Sequence, residues 1–398
     1  MSLTRRSTLR LLATTLTSAA VPRVVLAAAP TERRLVLIIL RGALDGLAAV
    51  PPFFDPAYRQ LRTTLGPGEP GSADGALDLD GGFALHPSLR AFHAMYKQGD
   101  AAIIHAVATP YRERSHFDAQ DLLENGTLRA RGATDGWLNR ALGLMPRSDT
   151  RLGLAVGQTV PLVMRGTVPV GSWAAQTMPE LNRDFLSLLS QVYKSDTAFD
   201  VAFTEGMRAH AMNDEVLGDE KSMGGNARGA QAIRATTSAI GKLLASADGP
   251  RVAALDIGGW DTHSAQNARL KQMLQALDDG LTGLRESLGA VWRQSVVVVA
   301  TEFGRTAQQN GTNGTDHGTG SVVLLAGGAV AGGKVLGHWP GLAADKLHQG
   351  RDLAPTTDMR AVFKTLLLAH VGLPRDGIER AVFPDSRDVR ALDGLVKA

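Results

Sequence analysis

The stretch from Arg33 to Arg41 reads RRLVLIILR, an almost unbroken apolar run rich in β-branched residues and bounded by Gly42 and Gly46. Such a run fits a strand buried on both faces of a parallel sheet. Shorter runs of the same kind recur at 101–107, 152–156, 251–255, 295–300 and 321–325. Between them, apolar residues return every three or four positions over 87–97, 118–125, 180–193, 230–244 and 265–288, the spacing of helices with one buried stripe. Strands alternating with helices of this length predict an α/β fold whose sheet is covered on both faces. The interval 171–250 shows no strand pattern, and its helices are expected to form a cap or insertion beside the sheet.

The first residues do not join this pattern. Arg5 and Arg6 open a weakly apolar stretch, Leu11 to Val21, followed by the small residues Ala27, Ala28 and Ala29. A charged start, a modest apolar segment and a small-residue tail make an export signal. The adjacent arginines point to the twin-arginine route. Residues 1–29 are therefore expected to be a signal peptide read by the twin-arginine export machinery, and 30–398 the mature domain, in the periplasm or secreted. No later segment is apolar for the length an integral membrane span needs.

Composition narrows the chemistry. Hydrophobic residues make up 44% of the 398 and charged residues 20%, ample for a large core. Cys is 0, which removes thiolate metal sites, iron–sulfur clusters and a cysteine nucleophile. The formal charge of +3 is carried by the leader, which holds Arg5, Arg6, Arg10 and Arg23 and no acid. Without those four, bases and acids nearly balance, so no nucleic-acid partner is expected.

Open α/β sheets gather their chemistry beyond the carboxyl ends of strands. Five polar strings sit at such places. Asp45 follows the first apolar run, and Arg112, Arg114, Ser115 and His116 follow the second. The 251–255 run leads into Asp256, Asp261 and His263; the 295–300 run leads into Glu302; and Asp316 and His317 precede the last run. Carboxylates with imidazoles suit divalent Zn, Mn, Mg or Ca, and no thiolate narrows that choice. A Gly-x-Ser-x-Gly elbow is missing, and Gly42-Ala43-Leu44-Asp45-Gly46 lacks the ordered Gly-x-Gly-x-x-Gly turn after the first strand, which argues against an esterase and a dinucleotide enzyme.

The strings LRGALDGL from Leu40, SHFDAQ from Ser115, GWDTH from Gly259, TEFGR from Thr301 and DHG from Asp316 resemble an uncharacterised twin-arginine-exported family of the alkaline phosphatase-like, or sulfatase-like, superfamily. The resemblance spans the mature chain. It implies an alkaline phosphatase-like three-layer sandwich, with a central mostly parallel sheet and a helical insertion at 171–250. It further implies one or two divalent ions and hydrolysis of a phosphate, less often a sulfate, ester outside the cytoplasm. On this resemblance Asp45, Asp261, His263 and His317 match metal-binding positions, and Ser115 stands near the place of a nucleophile. Glu302-Phe303-Gly304 occupies the usual Asp-His-Gly string, and Phe303 offers no nitrogen. Either Glu302 with Asp316 or Asp256 makes good that contact, or the site holds one ion, or it binds without catalysing. Arg112 or Arg114 would clamp an anionic small-molecule or glycan ester, and His116 or His317 would protonate its leaving group. The alternative is a non-catalytic periplasmic protein, stabilised by metal and serving in binding or assembly.

Overall fold

A computed structural model describes residues 32–146, 152–174, 183–194, 196, 200–201, 203–204, 206–207, 216–217 and 229–397. Residues 1–29, expected to be a signal peptide, and much of the 171–250 interval lie outside them. Nine strands form one sheet: β1 (Arg34–Leu40), β2 (Ala101–Ala108), β3 (Gly153–Val156), β4 (Gly171–Trp173), β5 (Val252–Ile257), β6 (Ser295–Thr301), β7 (Ser321–Ala326), β8 (Lys334–Leu336) and β9 (Thr357–Asp358). The spatial order is β8-β2-β7-β6-β1-β5-β3-β4, with β9 also beside β2. All six apolar runs became strands. Only β7 runs against its neighbours, antiparallel to both β2 and β6. A strand buried on both faces reads the same in either direction, so this reversal left no mark in the pattern.

Alternation within β1 explains the three layers. Val36, Ile38 and Leu40 face one side, where helix α3 (Arg90–Lys97) contributes Phe92, α7 (Ala230–Ala245) contributes Ile240 and Leu243, and α8 (Gln266–Leu288) contributes Leu274 and Leu281. Leu35, Leu37 and Ile39 face the other, against Leu123 of α4 (His116–Asn125), Trp137 of α5 (Trp137–Leu142) and Phe363 of α9 (Met359–Thr365). Two short helices near the first strand complete the frame, α1 (Gly46–Ala49) and α2 (Pro56–Leu61); α6 (Arg183–Tyr193) belongs to the 171–250 interval. No helix among the described residues is long and apolar enough to cross a membrane.

Three histidines are built into this frame as neutral rings. Nε2 of His105 lies 3.0 Å from the Val50 carbonyl, and Nε2 of His370 lies 2.8 Å from that of Arg34. His86 accepts from the Ser88 N–H at 3.2 Å. Burial pushes each of them down to about 4, with Lys271 adding to the effect at His86 and Arg33 at His370. An unfolded histidine titrates near about 6.5, so below that pH the unfolded chain binds protons that the folded chain refuses. Stability is full above about pH 6.5 and is lost as pH falls toward about 4, by roughly 2 kcal/mol per histidine at pH 5. Denaturant midpoints should therefore drop steeply between pH 6.5 and 5, and less steeply in His370→Gln. A flat wild-type profile across that interval would contradict the neutral assignment.

Candidate metal centre

Register brings the site loops to one edge. β1, β5 and β6 end side by side, with Leu40 opposite both Ile257 and Thr301. Because β7 is reversed, the loop before it opens at the same edge, carrying His317. β2 runs with β1, and the loop after Ala108 leads to α4, whose first residue is His116. Ser115 caps that helix in extended conformation, and Gly126 ends it at a left-handed φ of 70°.

At this edge the imidazoles of His116, His263 and His317 meet the carboxylate of Asp261. His317 Nε2 lies 3.0 Å from His116 Nε2 and 3.0 Å from His263 Nε2. Asp261 Oδ1 lies 3.0 Å from Nε2 of His263, 3.4 Å from that of His317 and 3.6 Å from that of His116. Behind each ring stands an oxygen. His116 Nδ1 is 2.8 Å from Glu302 Oε1, His263 Nδ1 is 3.2 Å from Asp316 Oδ1, and His317 Nδ1 is 3.0 Å from the Arg114 carbonyl. Carboxylate and carbonyl oxygens accept only, so each Nδ1 carries a hydrogen, and the three Nε2 atoms are turned on one another. Three ring nitrogens so close to each other and to a carboxylate oxygen are placed to share a cation. Imidazoles oriented from behind by oxygen acceptors are the arrangement metal-binding histidines adopt. The donors present therefore fit a divalent ion, with ligand atoms of His116, Asp261 and His317 all within 4.8 Å of one another.

Electrostatics sharpen the arrangement. The Glu302 hydrogen bond pushes His116 above its ordinary value, whereas burial, then the His116 and Arg305 charges, push His317 below. Burial would raise the Glu302 carboxyl, but hydrogen bonds from His116, Gln120 and the Gly42 N–H hold it below the usual range. Asp261 is likewise raised by burial and brought below its ordinary value by Arg305. The four donor side chains remain 22–46% exposed, so the centre faces solvent.

Four of the anticipated residues thus converge, and His116 is the nitrogen that the TEFGR string does not supply. Phe303 is an apolar floor instead. Its ring centroid lies 4.8 Å from that of His116 and 5.3 Å from that of His317, and it is buried with Ala43 and Ala119. Glu302 and Asp316 stand behind histidines rather than beside the Nε2 atoms. Asp45 lies apart: Arg62 donates to both its oxygens at 2.6 and 3.1 Å, and Gln266 adds a third bond at 2.5 Å. With each oxygen held by a buried donor, the carboxylate expected to bind metal is spent on a structural ion pair. Asp256 pairs with Arg41 at 2.9 Å.

The expected clamps are also committed elsewhere. Arg112 bonds the carbonyls of Thr109 and Tyr111, and Arg114 binds Asp352 and Gln349. Ser115 adjoins His116 and makes no side-chain capping bond. The residue missed in the sequence is Arg305, visible only as the end of TEFGR. It is fully buried and bonds the carbonyls of Ala43, Gly42, Trp260 and Thr315 as well as Asp261, so it locks three site loops together. Two glycines allow that closeness. A Cβ on Gly42, at a φ of 116°, would meet the Asp261 nitrogen at 2.6 Å, and one on Gly314 would meet the His263 carbonyl oxygen at 2.2 Å.

A family model described as "Protein of unknown function (DUF1501)" matches residues 75–382. Among curated protein sequences nothing matches this chain. Solved structures similar to it include Ps i-CgsB in complex with k-i-k-neocarrahexaose, at 11% identity over 91% of this chain and 75% of that one, TM-score 0.44. The phosphonate monoester hydrolase of Agrobacterium radiobacter is similar at 12% identity over 86% and 74%, TM-score 0.42. The alkaline phosphatase from the Antarctic bacterium TAB5 is similar at 11% identity over 75% and 92%, TM-score 0.36.

Proposed function

The chain belongs to the DUF1501 family, and for it we propose metal-dependent hydrolysis of an anionic ester outside the cytoplasm, a phosphate ester in preference to a sulfate. The carrying observation is the open convergence of three Nε2 atoms on Asp261 Oδ1. A purely structural ion is closed off by its ligands, whereas a catalytic one keeps a face for water or substrate. Three nitrogens and one oxygen suit Zn or Mn better than Mg or Ca, which prefer oxygen alone. One ion per chain fits this single donor set.

Bound there, a divalent ion would act as a Lewis acid on the ester oxygen and raise the acidity of a nearby hydroxyl or water. The chain's own part is to hold and orient. Glu302, Asp316 and the Arg114 carbonyl fix the three rings, and Arg305 fixes Asp261. His116 and His317 are ligands in this reading rather than proton donors. Ser115, uncommitted at the helix start beside His116, is the candidate nucleophile, with water as its substitute. Phosphate is preferred because Ser115 is followed by His116-Phe117-Asp118 and not by the x-Pro-x-Arg that common sulfatases use to convert a serine to their aldehyde. The export signal at Arg5 and Arg6 places the reaction beyond the inner membrane in this proposal.

Metal content and turnover on a panel of phosphate and sulfate esters test it together. The mature protein should carry about one ion per chain and cleave at least one phosphate ester. Ser115→Ala should keep the ion and lose turnover if the serine attacks, and keep both if water does. A second reading has its own observation: Arg112, Arg114 and Arg305 are all engaged within the protein, which suits metal-stabilised binding without catalysis. A folded, metal-loaded chain inert toward every ester would select that reading.

A further inference from the structure

A cavity of about 510 Å³ opens beside the centre, lined among others by Tyr111, Arg112, Glu113, Asp118, Arg129 and Arg131. Tyr111 joins it to the site. Its hydroxyl accepts from the Ser115 N–H at 3.3 Å and donates to Asp118 at 3.4 Å, while the same residue forms a cavity wall. The segment running from that wall through Arg114 to His116 supplies both a ring of the centre and the carbonyl that orients another. Whatever occupies the cavity therefore sits within a few residues of the candidate nucleophile.

The opposite wall comes from the loop after α4. Asp121 ties that loop down by accepting from the Arg131 N–H and from Asn125 Nδ2, and Thr127 bonds the Arg129 carbonyl at 2.9 Å. The backbone is thus fixed while the side chains of Arg129 and Arg131 are exposed, and neither guanidinium has a carboxylate partner among the described residues. Elsewhere around the centre the guanidiniums are spent on the protein itself. Two free planar forks on a fixed loop are suited to bidentate capture of a phosphate or sulfate. Glu113 and Asp118 offer acceptors for hydroxyl groups, and Tyr111 and Leu128 add apolar surface. A ligand with one anionic group, several hydroxyls and an apolar ring face meets all of these at once.

The geometry points to a subsite for a second anionic group on the same substrate, so that the preferred ester is a multiply charged saccharide. Resting on the hydrolase reading, this assigns the guanidinium pair to the part of the molecule that is not cleaved. The centre handles one anionic ester, and Arg129 with Arg131 holds the other.

Sugar bisphosphates and α,ω-alkanediol bisphosphates of increasing chain length, each against its monophosphate, provide the test. The bisphosphates should show kcat/KM at least about tenfold higher, as charged hydrogen bonds of this kind allow. The double variant Arg129→Ala, Arg131→Ala should erase that advantage and leave monophosphate turnover unchanged, since neither side chain supports the fold. The advantage should be larger for the sugars than for the alkanediols. Equal rates for mono- and bisphosphates in the wild type, or an advantage that survives the double variant, would overturn the subsite. If no ester is cleaved, calorimetry with a non-hydrolysable sugar bisphosphonate separates the two proposals. A tenfold loss of affinity in the double variant would keep the subsite while the hydrolase reading falls, and unchanged affinity would remove the subsite as well.

Discussion

Replacing His317 by alanine is expected to strip the protein of its divalent ion while leaving it folded. His317 is the ring that touches both others, at 3.0 Å in each case, and it also approaches Asp261. Among the described residues no other ring nitrogen touches both His116 and His263, so its loss opens the set in the middle. The ring is 27% exposed and contributes little to the core, and thermal unfolding should therefore move only slightly. Ester turnover should fall roughly a thousandfold, the several kcal/mol that a Lewis acid supplies. Elemental analysis after dialysis, with circular dichroism on the same sample, checks both halves. Full metal content in a folded His317→Ala chain would mean that the ion, if any, lies elsewhere.

Asp45→Ala should do the reverse, costing stability and sparing the metal. The Asp45–Arg62 pair is fully buried, and the guanidinium also bonds the carbonyls of Thr306 and Ala307. Removing one partner leaves a charge in the interior with nothing to balance it, a loss of roughly 3–5 kcal/mol. Exchanging both, as in Asp45→Leu with Arg62→Met, should recover much of that loss because no orphan charge remains. Equilibrium denaturation of the two variants supplies the numbers. Loss of metal from correctly folded Asp45→Ala would restore the carboxylate to the centre, and a change in stability under about 1 kcal/mol would contradict the buried pair.

These two experiments mark where sequence and structure part. Strands and helices were legible because burial on both faces of a sheet writes long apolar runs, and burial on one face of a helix writes a three-to-four repeat. The joint location of Asp261, His263 and His317 followed from their places beside strand ends. What could not be read was the division of labour among the polar groups. Asp45 looks like any carboxylate after a first strand, and only folding reveals that Arg62 reaches it from the turn after α2. Glu302, expected to contact the metal, and His116, expected to be a proton donor, stand in other places for the same reason. The helix start turns the His116 ring toward Asp261, and the buried end of β6 places Glu302 behind it. Phe303 seemed a lost ligand, yet it packs beneath two rings that need a firm apolar support.

The place of β1 in the sheet has a consequence for how the chain comes into being. The segment RLVLIIL is synthesised well before both of its partners, for Leu35 pairs with Val252 on one side and Val296 on the other. Until those are made it has neither neighbour, and a strand of this composition without a partner is a template for aggregation. Pairings this distant also fold slowly. A ribosome-bound chain halted before Val252 should consequently depend on a holding chaperone at this one segment, and synthesis through Thr301 should release it.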